Sequence, residues 1–272
     1  MAAAAGHEVV GLQANLTDAV AVKQEVAHVA PEAAMHLAAI SFVGHADDSA
    51  FYAVNVVGTT NLLAALAALP TPPRKVLLAS SANVYGNCEA SPISEAQPPA
   101  PVNHYAMSKL AMEFMTLTYA DRLDLVTTRP FNYTGPGQDV NFVIPKLVEH
   151  FARRAPSIAL GNLNVEREFN DVQMVCSAYL QLLQHGEPSE TYNVCTGQPY
   201  TLQHVISTLS RLTDHQIQVE LNPAFARANE VHRLSGSPAK LQALLAAHGA
   251  TLYSPPLEDT LRRMLTAAGT SA

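Results

Sequence analysis

The first half of the chain alternates short, almost wholly apolar runs with longer stretches of helical periodicity. Alanines at positions 2–5 followed by Gly6 predict the end of a helix with a glycine C-cap. Residues 7–12 then read as a short strand, and 17–29 as a helix with Asp18 and Glu25 on its polar side. The run AAMHLAA at 33–39 predicts a buried strand, 51–69 a helix stopped by Pro70, and KVLLAS at 75–80 a second buried strand. Residues 105–123 predict another helix, and 125–129 a strand ended by Pro130. Strands that are apolar throughout, separated by helices, imply a parallel sheet covered on both faces. The expected fold is α/β, a doubly wound parallel sheet whose ligands sit beyond the carboxyl ends of its strands.

After about residue 133 the pattern loosens. Pro, Asn and Gly interrupt shorter elements, although 171–183 and 201–212 still read as helices. This divides the chain into a truncated dinucleotide-binding domain, residues 1–132, and a smaller C-terminal substrate-binding lobe, residues 133–272, interleaved with the last strands of the sheet. The Rossmann-like half lacks its usual first strand and Gly-rich turn: no G-x-G-x-x-G occurs in the 272 residues. Either that unit is encoded upstream of Met1 or it has been lost. In both cases the 272 residues alone are expected to hold a dinucleotide poorly, because its pyrophosphate lacks a helix N-terminus.

Composition narrows the classes. A chain of 272 residues, 48% of them hydrophobic, has material for a large core or a main domain with a smaller one attached. A formal net charge of −7 argues against a nucleic-acid partner. The longest apolar run, 62–69, is far shorter than the ~18 residues of a membrane span, and the amino terminus has no basic region before its alanines. A soluble, cytoplasmic protein is expected. Cys88, Cys176 and Cys195 are an odd, widely spaced set, which fits a reducing compartment. The histidines are scattered without ligand spacing, so no metal site is expected.

Candidate chemistry centres on Tyr105 and Lys109, the spacing Y-x-x-x-K. Four residues apart on a helix they share a face, so the ammonium can lie near the phenol. A free phenol titrates near 10, and a neighbouring cation moves it toward the range a general acid–base needs. Upstream, SSANVYG at 80–86 follows the KVLLAS strand and places Ser81 at a strand end, where a hydroxyl can hold a carbonyl oxygen. Downstream, RPFNYTGPGQ at 129–138 again follows a strand.

In this order, HLAA at 36–39, NVVGTTNLL at 55–63, SSANVYG, YAMSK and RPFN make the chain resemble the extended short-chain dehydrogenase/reductases over nearly its whole length. Within that family, RPFNYTGPGQ, FVIP, GNLNVEREFNDV and YNVCTGQ look most like the GDP-6-deoxy-4-keto-mannose reductases, with GDP-mannose 4,6-dehydratases as near neighbours.

The resemblance implies a catalytic triad of Ser81, Tyr105 and Lys109. Tyr105 would protonate the C4 oxygen of a nucleotide-linked 4-keto sugar while NADP(H), or NAD(H), delivers hydride to C4, converting GDP-4-keto-6-deoxy-D-mannose to GDP-D-rhamnose. It further implies that Ala38, Ala39, Ile40, Asn55 and Pro130 line the cofactor together with Tyr105 and Lys109. Asn83, Asn132, Arg167, Arg227 and Glu230 would meet the GDP-linked substrate. A guanidinium fork suits a diphosphate because it binds two oxygens at once. A homodimer formed by the helices of Asn55 and Tyr105 is also implied. Asn83 stands where a 4,6-dehydratase needs a carboxylate, which points away from dehydration. A nucleotide-sugar 4-epimerase and a non-catalytic remnant that binds only the sugar nucleotide remain as alternatives.

Overall fold

The computed structural model describes residues 1–41, 47–163, 165–222 and 232–269. In chain order the elements are α1 (Ala19–Val29), β1 (Ala34–His36), α2 (Asp48–Tyr52), a π-helical stretch (Ala53–Gly58), α3 (Thr59–Ala67), β2 (Val76–Ala79), α4 (His104–Thr116), β3 (Leu125–Pro130) and β4 (Tyr133–Thr134). They continue with α5 (Val143–Ala152), β5 (Ser157–Leu160), β6 (Glu166–Glu168), β7 (Asn170–Asp171), α6 (Val172–His185), β8 (Thr191–Val194), β9 (Pro199–Thr201), α7 (Leu202–Thr213), β10 (Gln218–Leu221), β11 (Arg233–Leu234), α8 (Ala239–Ala247) and α9 (Leu257–Gly269).

The main sheet is parallel, in the order β1-β2-β3-β8. One face is covered by α1, α3 and α4, whose Val22, Val26, Leu62, Leu63 and Leu66 bury against Val76 and Leu78. The other is covered by α6 and α8, whose Met174, Ala178, Leu182, Leu241 and Leu245 bury against Leu77, Val126 and Val194. This is the expected doubly wound α/β architecture. A second core joins α5, α7 and α9 to β5 through Ile144, Leu147, Phe151, Ile158, Val205, Leu209 and Leu261. Asp171 ties the two regions: it caps α6 by accepting from Gln173 N at 2.8 Å, and its other oxygen accepts from Thr260 Oγ1 at 2.5 Å and from Arg263.

Three expectations change. Residues 7–12 form no strand. A strand needs a neighbour to complete its ladder, and among the described residues the sheet ends at β1. Val9 and Val10 are exposed, while Glu25 of α1 holds the segment's end by accepting from Gln13 N at 2.9 Å and Ala14 N at 2.7 Å. The strand expected over 33–39 is cut to Ala34–His36, because this edge position leaves Leu37 and Ala38 exposed. The helix expected over 51–69 begins at Asp48 and is widened by the π-helical stretch. The helical run Asp48–Ala67 is long and apolar enough to cross a membrane by length and composition, and here its inner side forms part of the core beneath the sheet.

Candidate active site

The carboxyl ends of β1, β2 and β3 bring together His36, Ser81 and Pro130, with the first turns of α4 beside them. Asn103 starts α4 by accepting from Ala106 N at 2.8 Å, which aims Tyr105 and Lys109 at this edge. Ser81 is extended (φ −160°, ψ 145°) and opens a 3₁₀ turn, Ala82–Tyr85. Its Oγ accepts from Asn83 N at 3.2 Å and from Asn83 Nδ2 at 3.1 Å. The hydroxyl hydrogen is thus left to point elsewhere, and Ser81 is close enough to the Tyr105 phenol to influence its titration.

Tyr105 is buried, and burial pushes its phenol up to about 12; the nearby Ser81 hydroxyl works in the opposite sense and the Tyr133 phenol adds to the rise. This differs from the expectation of a phenol acidified by lysine. Lys109 Nζ instead donates to Ala79 O at 2.7 Å, at the end of β2. Lys109 is itself nearly enclosed, and burial brings its ammonium down to about 8 against the opposing attraction of Glu113. Tyr105 is therefore a protonated phenol throughout the neutral range.

A second layer of hydrogen bonds fixes these groups. Ser108 Oγ donates to Tyr105 O at 2.8 Å and accepts from Asn55 Nδ2 at 3.0 Å. Asn55, fully buried in the π-helical stretch, also grips Ile40 from both sides: Oδ1 accepts from Ile40 N at 3.0 Å and Nδ2 donates to Ile40 O at 3.2 Å. Thr59 Oγ1 donates to Asn55 O at 2.7 Å, so at its 2.7 Å contact with His36 Nε2 it accepts. His36 is therefore the Nε2–H tautomer. Burial, and after it Lys109, drive its pKa down to about 4, so the imidazole stays neutral.

Sequence reasoning missed His36 as part of this network, and it missed Arg129. Arg129 is buried, forms a two-armed ion pair with Glu113 (3.0 and 2.6 Å) and lies over the Tyr85 ring at 4.8 Å. The spacing Lys109-x-x-x-Glu113 was the available signal for the acid. Tyr133, whose phenol is near enough to raise the Tyr105 pKa, borders a cavity of about 240 Å³ with Gly135, Pro136, Gln138 and Val172.

Of the predicted cofactor residues, Ile40 and Asn55 are joined directly, while Ala38 and Ala39 are the links before Ile40 where the chain leaves the sheet, and Pro130 ends β3. Lys109 uses one of its three ammonium hydrogens on Ala79 O at a strand end; a lysine placed there suits the nicotinamide ribose of NAD(P)H. Of the predicted substrate residues, Asn83 is bonded to Ser81. Asn132 is exposed, its carbonyl accepting from Asn170 N at 2.9 Å. Arg167 Nη1 donates to Glu166 O and to His232 O, at 2.9 and 3.0 Å. Arg227 and Glu230 lie outside the described residues. Among the described residues no cluster of His, Cys, Asp or Glu is arranged to hold a metal ion.

The family model for GDP-mannose 4,6 dehydratase matches residues 3–246. The chain is 36% identical to GDP-6-deoxy-D-talose 4-dehydrogenase of Aggregatibacter actinomycetemcomitans over 227 residues, which is 84% of the chain and 77% of that protein. It is 38% identical to GDP-6-deoxy-D-mannose reductase of Pseudomonas aeruginosa over 248 residues, 87% of the chain and 79% of that protein. The solved structure of RMD from Pseudomonas aeruginosa complexed with NADPH superposes with a TM-score of 0.89 and 32% identity, covering 99% of the chain and 93% of that structure. With its parallel sheet, its Ser–Tyr–Lys edge and these matches, the chain belongs to the GDP-mannose 4,6-dehydratase family.

Proposed function

We propose that this protein is an NAD(P)H-dependent reductase of a GDP-linked 4-keto-6-deoxy hexose, with GDP-D-rhamnose as product. The observation that carries the reading is the placement of Ser81, just beyond the end of β2, beside the buried Tyr105 in the first turn of α4, whose phenol burial holds protonated at about 12. A ketone reduction consumes one hydride and one proton. Bound NAD(P)H supplies the hydride to C4. Ser81 donates to the O4 oxygen and positions it, using a hydrogen that Asn83 leaves available because both Asn83 contacts are donated to Ser81. Tyr105 releases its proton to O4 as negative charge builds there. The resulting phenolate is stabilised by the Lys109 ammonium one turn along α4 and is then reprotonated from solvent. Arg167, with Arg227, would neutralise the diphosphate, and Asn132 and Glu230 would complete the nucleotide contacts.

Two facts favour reduction over the dehydration for which the family is named. Asn83 has an amide where a proton-transferring carboxylate would be required, and that amide is committed to Ser81. The two curated relatives are named as a reductase and a 4-dehydrogenase of GDP-6-deoxy sugars. Those names also define a second reading. 6-Deoxy-D-talose and 6-deoxy-D-mannose are C4 epimers, so the same ketone gives either alcohol according to the face that receives hydride.

The test is to incubate the protein with GDP-4-keto-6-deoxy-D-mannose and NADPH and to identify the product by NMR. The reading requires NADPH loss equal to ketone loss and an axial-to-equatorial assignment at C4 that identifies D-rhamnose. The talo alcohol would correct the stereochemistry. Interconversion of two alcohols without cofactor consumption would replace the reductase with an epimerase. Exposed Val57, Met107, Phe114 and Leu117 on the helices that carry Asn55 and Tyr105 support a homodimer through that face.

A further inference from the structure

Glu168, the last residue of β6, is fully buried, and its carboxylate holds two further stretches of chain, at Thr196–Gly197 and at Gly236. Oε1 accepts from Gly236 N at 2.6 Å, and Oε2 accepts from Thr196 N at 2.8 Å and Gly197 N at 3.1 Å. Thr196 Oγ1 lies 3.1 Å from the same Oε2 and 2.8 Å from Asn170 Oδ1, so its one hydrogen is shared between them. Asn170 in turn donates from its backbone N and its Nδ2 to Asn132 O, at 2.9 and 3.2 Å. Gly236 lies flat on Phe131: a Cβ there would stand 2.4 Å from the ring. Phe131 sits between Pro130 and Asn132.

Alternation along β6 turns Arg167 to the opposite face of the strand from Glu168. Arg167 Nη1 reaches His232 O at 3.0 Å, and His232 leads into β11 and the Gly236 turn. One buried carboxylate therefore fixes, at one remove, the backbone beneath Asn132, the strand that presents Arg167 and the segment that follows Arg227 and Glu230 in the sequence. Its partners are backbone N–H groups and a hydroxyl, whose partial charges offset the anion without a salt bridge.

We infer that Glu168 is a positioning residue for the nucleotide-diphosphate end of the substrate, acting through Arg167, Asn132 and the Gly236 turn and not on the reacting carbonyl. The inference rests on the reading of the substrate as a GDP-linked sugar. A positioning group of this kind contributes to binding in the ground state and the transition state alike, so its loss appears in KM and leaves kcat nearly unchanged.

The experiment compares wild type, Glu168→Gln and Glu168→Asp. In Glu168→Gln one acceptor becomes an NH2 that faces N–H donors, while volume is kept. Calorimetric titration with GDP, steady-state kinetics with the keto sugar and with NADPH, and thermal melting are measured on all three. Expected for Glu168→Gln is a rise of about tenfold or more in the GDP Kd and in the keto-sugar KM, with kcat within about threefold and the NADPH KM within about twofold. Glu168→Asp, which keeps the charge, falls between and serves as the test variant if Glu168→Gln does not fold. A lower melting temperature with unchanged GDP affinity would show a purely structural role and overturn the inference, as would kcat and the NADPH KM worsening along with the keto-sugar KM, or wild type that binds no GDP. Wild type that binds GDP yet does not reduce the keto sugar would contradict the proposed reaction, and the positioning role would then be decided by the GDP affinities.

Discussion

Lys109 Nζ donates to the carbonyl oxygen of Ala79 at 2.7 Å, tethering the lysine of α4 to the strand that delivers Ser81. The tether fixes the ammonium at the end of β2, in a place where burial disfavours its charge. Its pKa is lowered to about 8, so the stability it contributes is present above the unfolded value near 10.5 and is lost as pH falls through 8. At pH 7 the full penalty is in force. Lys109→Met is expected to stabilise the fold at pH 7 by about 1–2 kcal/mol while reducing turnover by about a hundredfold or more. Urea unfolding at pH 7 and pH 10.5, set beside kcat, checks both; the stabilisation should shrink at the higher pH.

His36 has the same sign. Its pKa is lowered to about 4 from 6.5, so its contribution is complete above pH 6.5 and disappears as pH falls through 4. His36→Gln keeps a donor for Thr59 without a group that must be charged in acid. Between pH 6.5 and 4 the variant should lose less stability than wild type, by about 1–3 kcal/mol, in parallel denaturation series.

Asn55 satisfies both backbone groups of Ile40 and supports Ser108 beneath Tyr105. Asn55→Ala leaves buried partners unmatched, at a cost of about 1–3 kcal/mol. Because Ile40 belongs to the segment assigned to the cofactor, the NADPH KM should rise several-fold more than the keto-sugar KM.

Glu113 and Arg129 form a buried, two-armed pair under the Tyr85 ring. Glu113→Ala strands the guanidinium and should destabilise by about 3–5 kcal/mol, whereas Glu113→Leu combined with Arg129→Met should recover much of that loss. Thermal melts of the single and double variants measure the difference.

Three of the four strands of the main sheet were legible from the sequence because they include apolar runs such as VLLA and LVTTRP, whereas the short, mixed TYNV of β8 was not legible as a strand. The strand ends that carry Ser81 and Pro130 were legible for the same reason. Residues 7–12 misled because alternation and β-branching describe a strand's surface and not its partner. Helix α5 was overlooked behind Pro145, which its first turn tolerates, although Ile144, Leu147, Val148 and Phe151 carry helical spacing. Glu168 left no trace in the pattern. Its four contacts come from positions 28 to 68 residues away, and only the fold brings them together.

The central claim is that Tyr105 hands its proton to the ketone oxygen. Its most direct test is Tyr105→Phe, which keeps the ring and its contact with Phe51 at 6.1 Å but removes the phenolic hydrogen. Single-turnover oxidation of NADPH with the GDP-linked keto sugar should slow by about a hundredfold or more in the variant, with sugar affinity within about threefold of wild type. An undiminished rate would contradict the account.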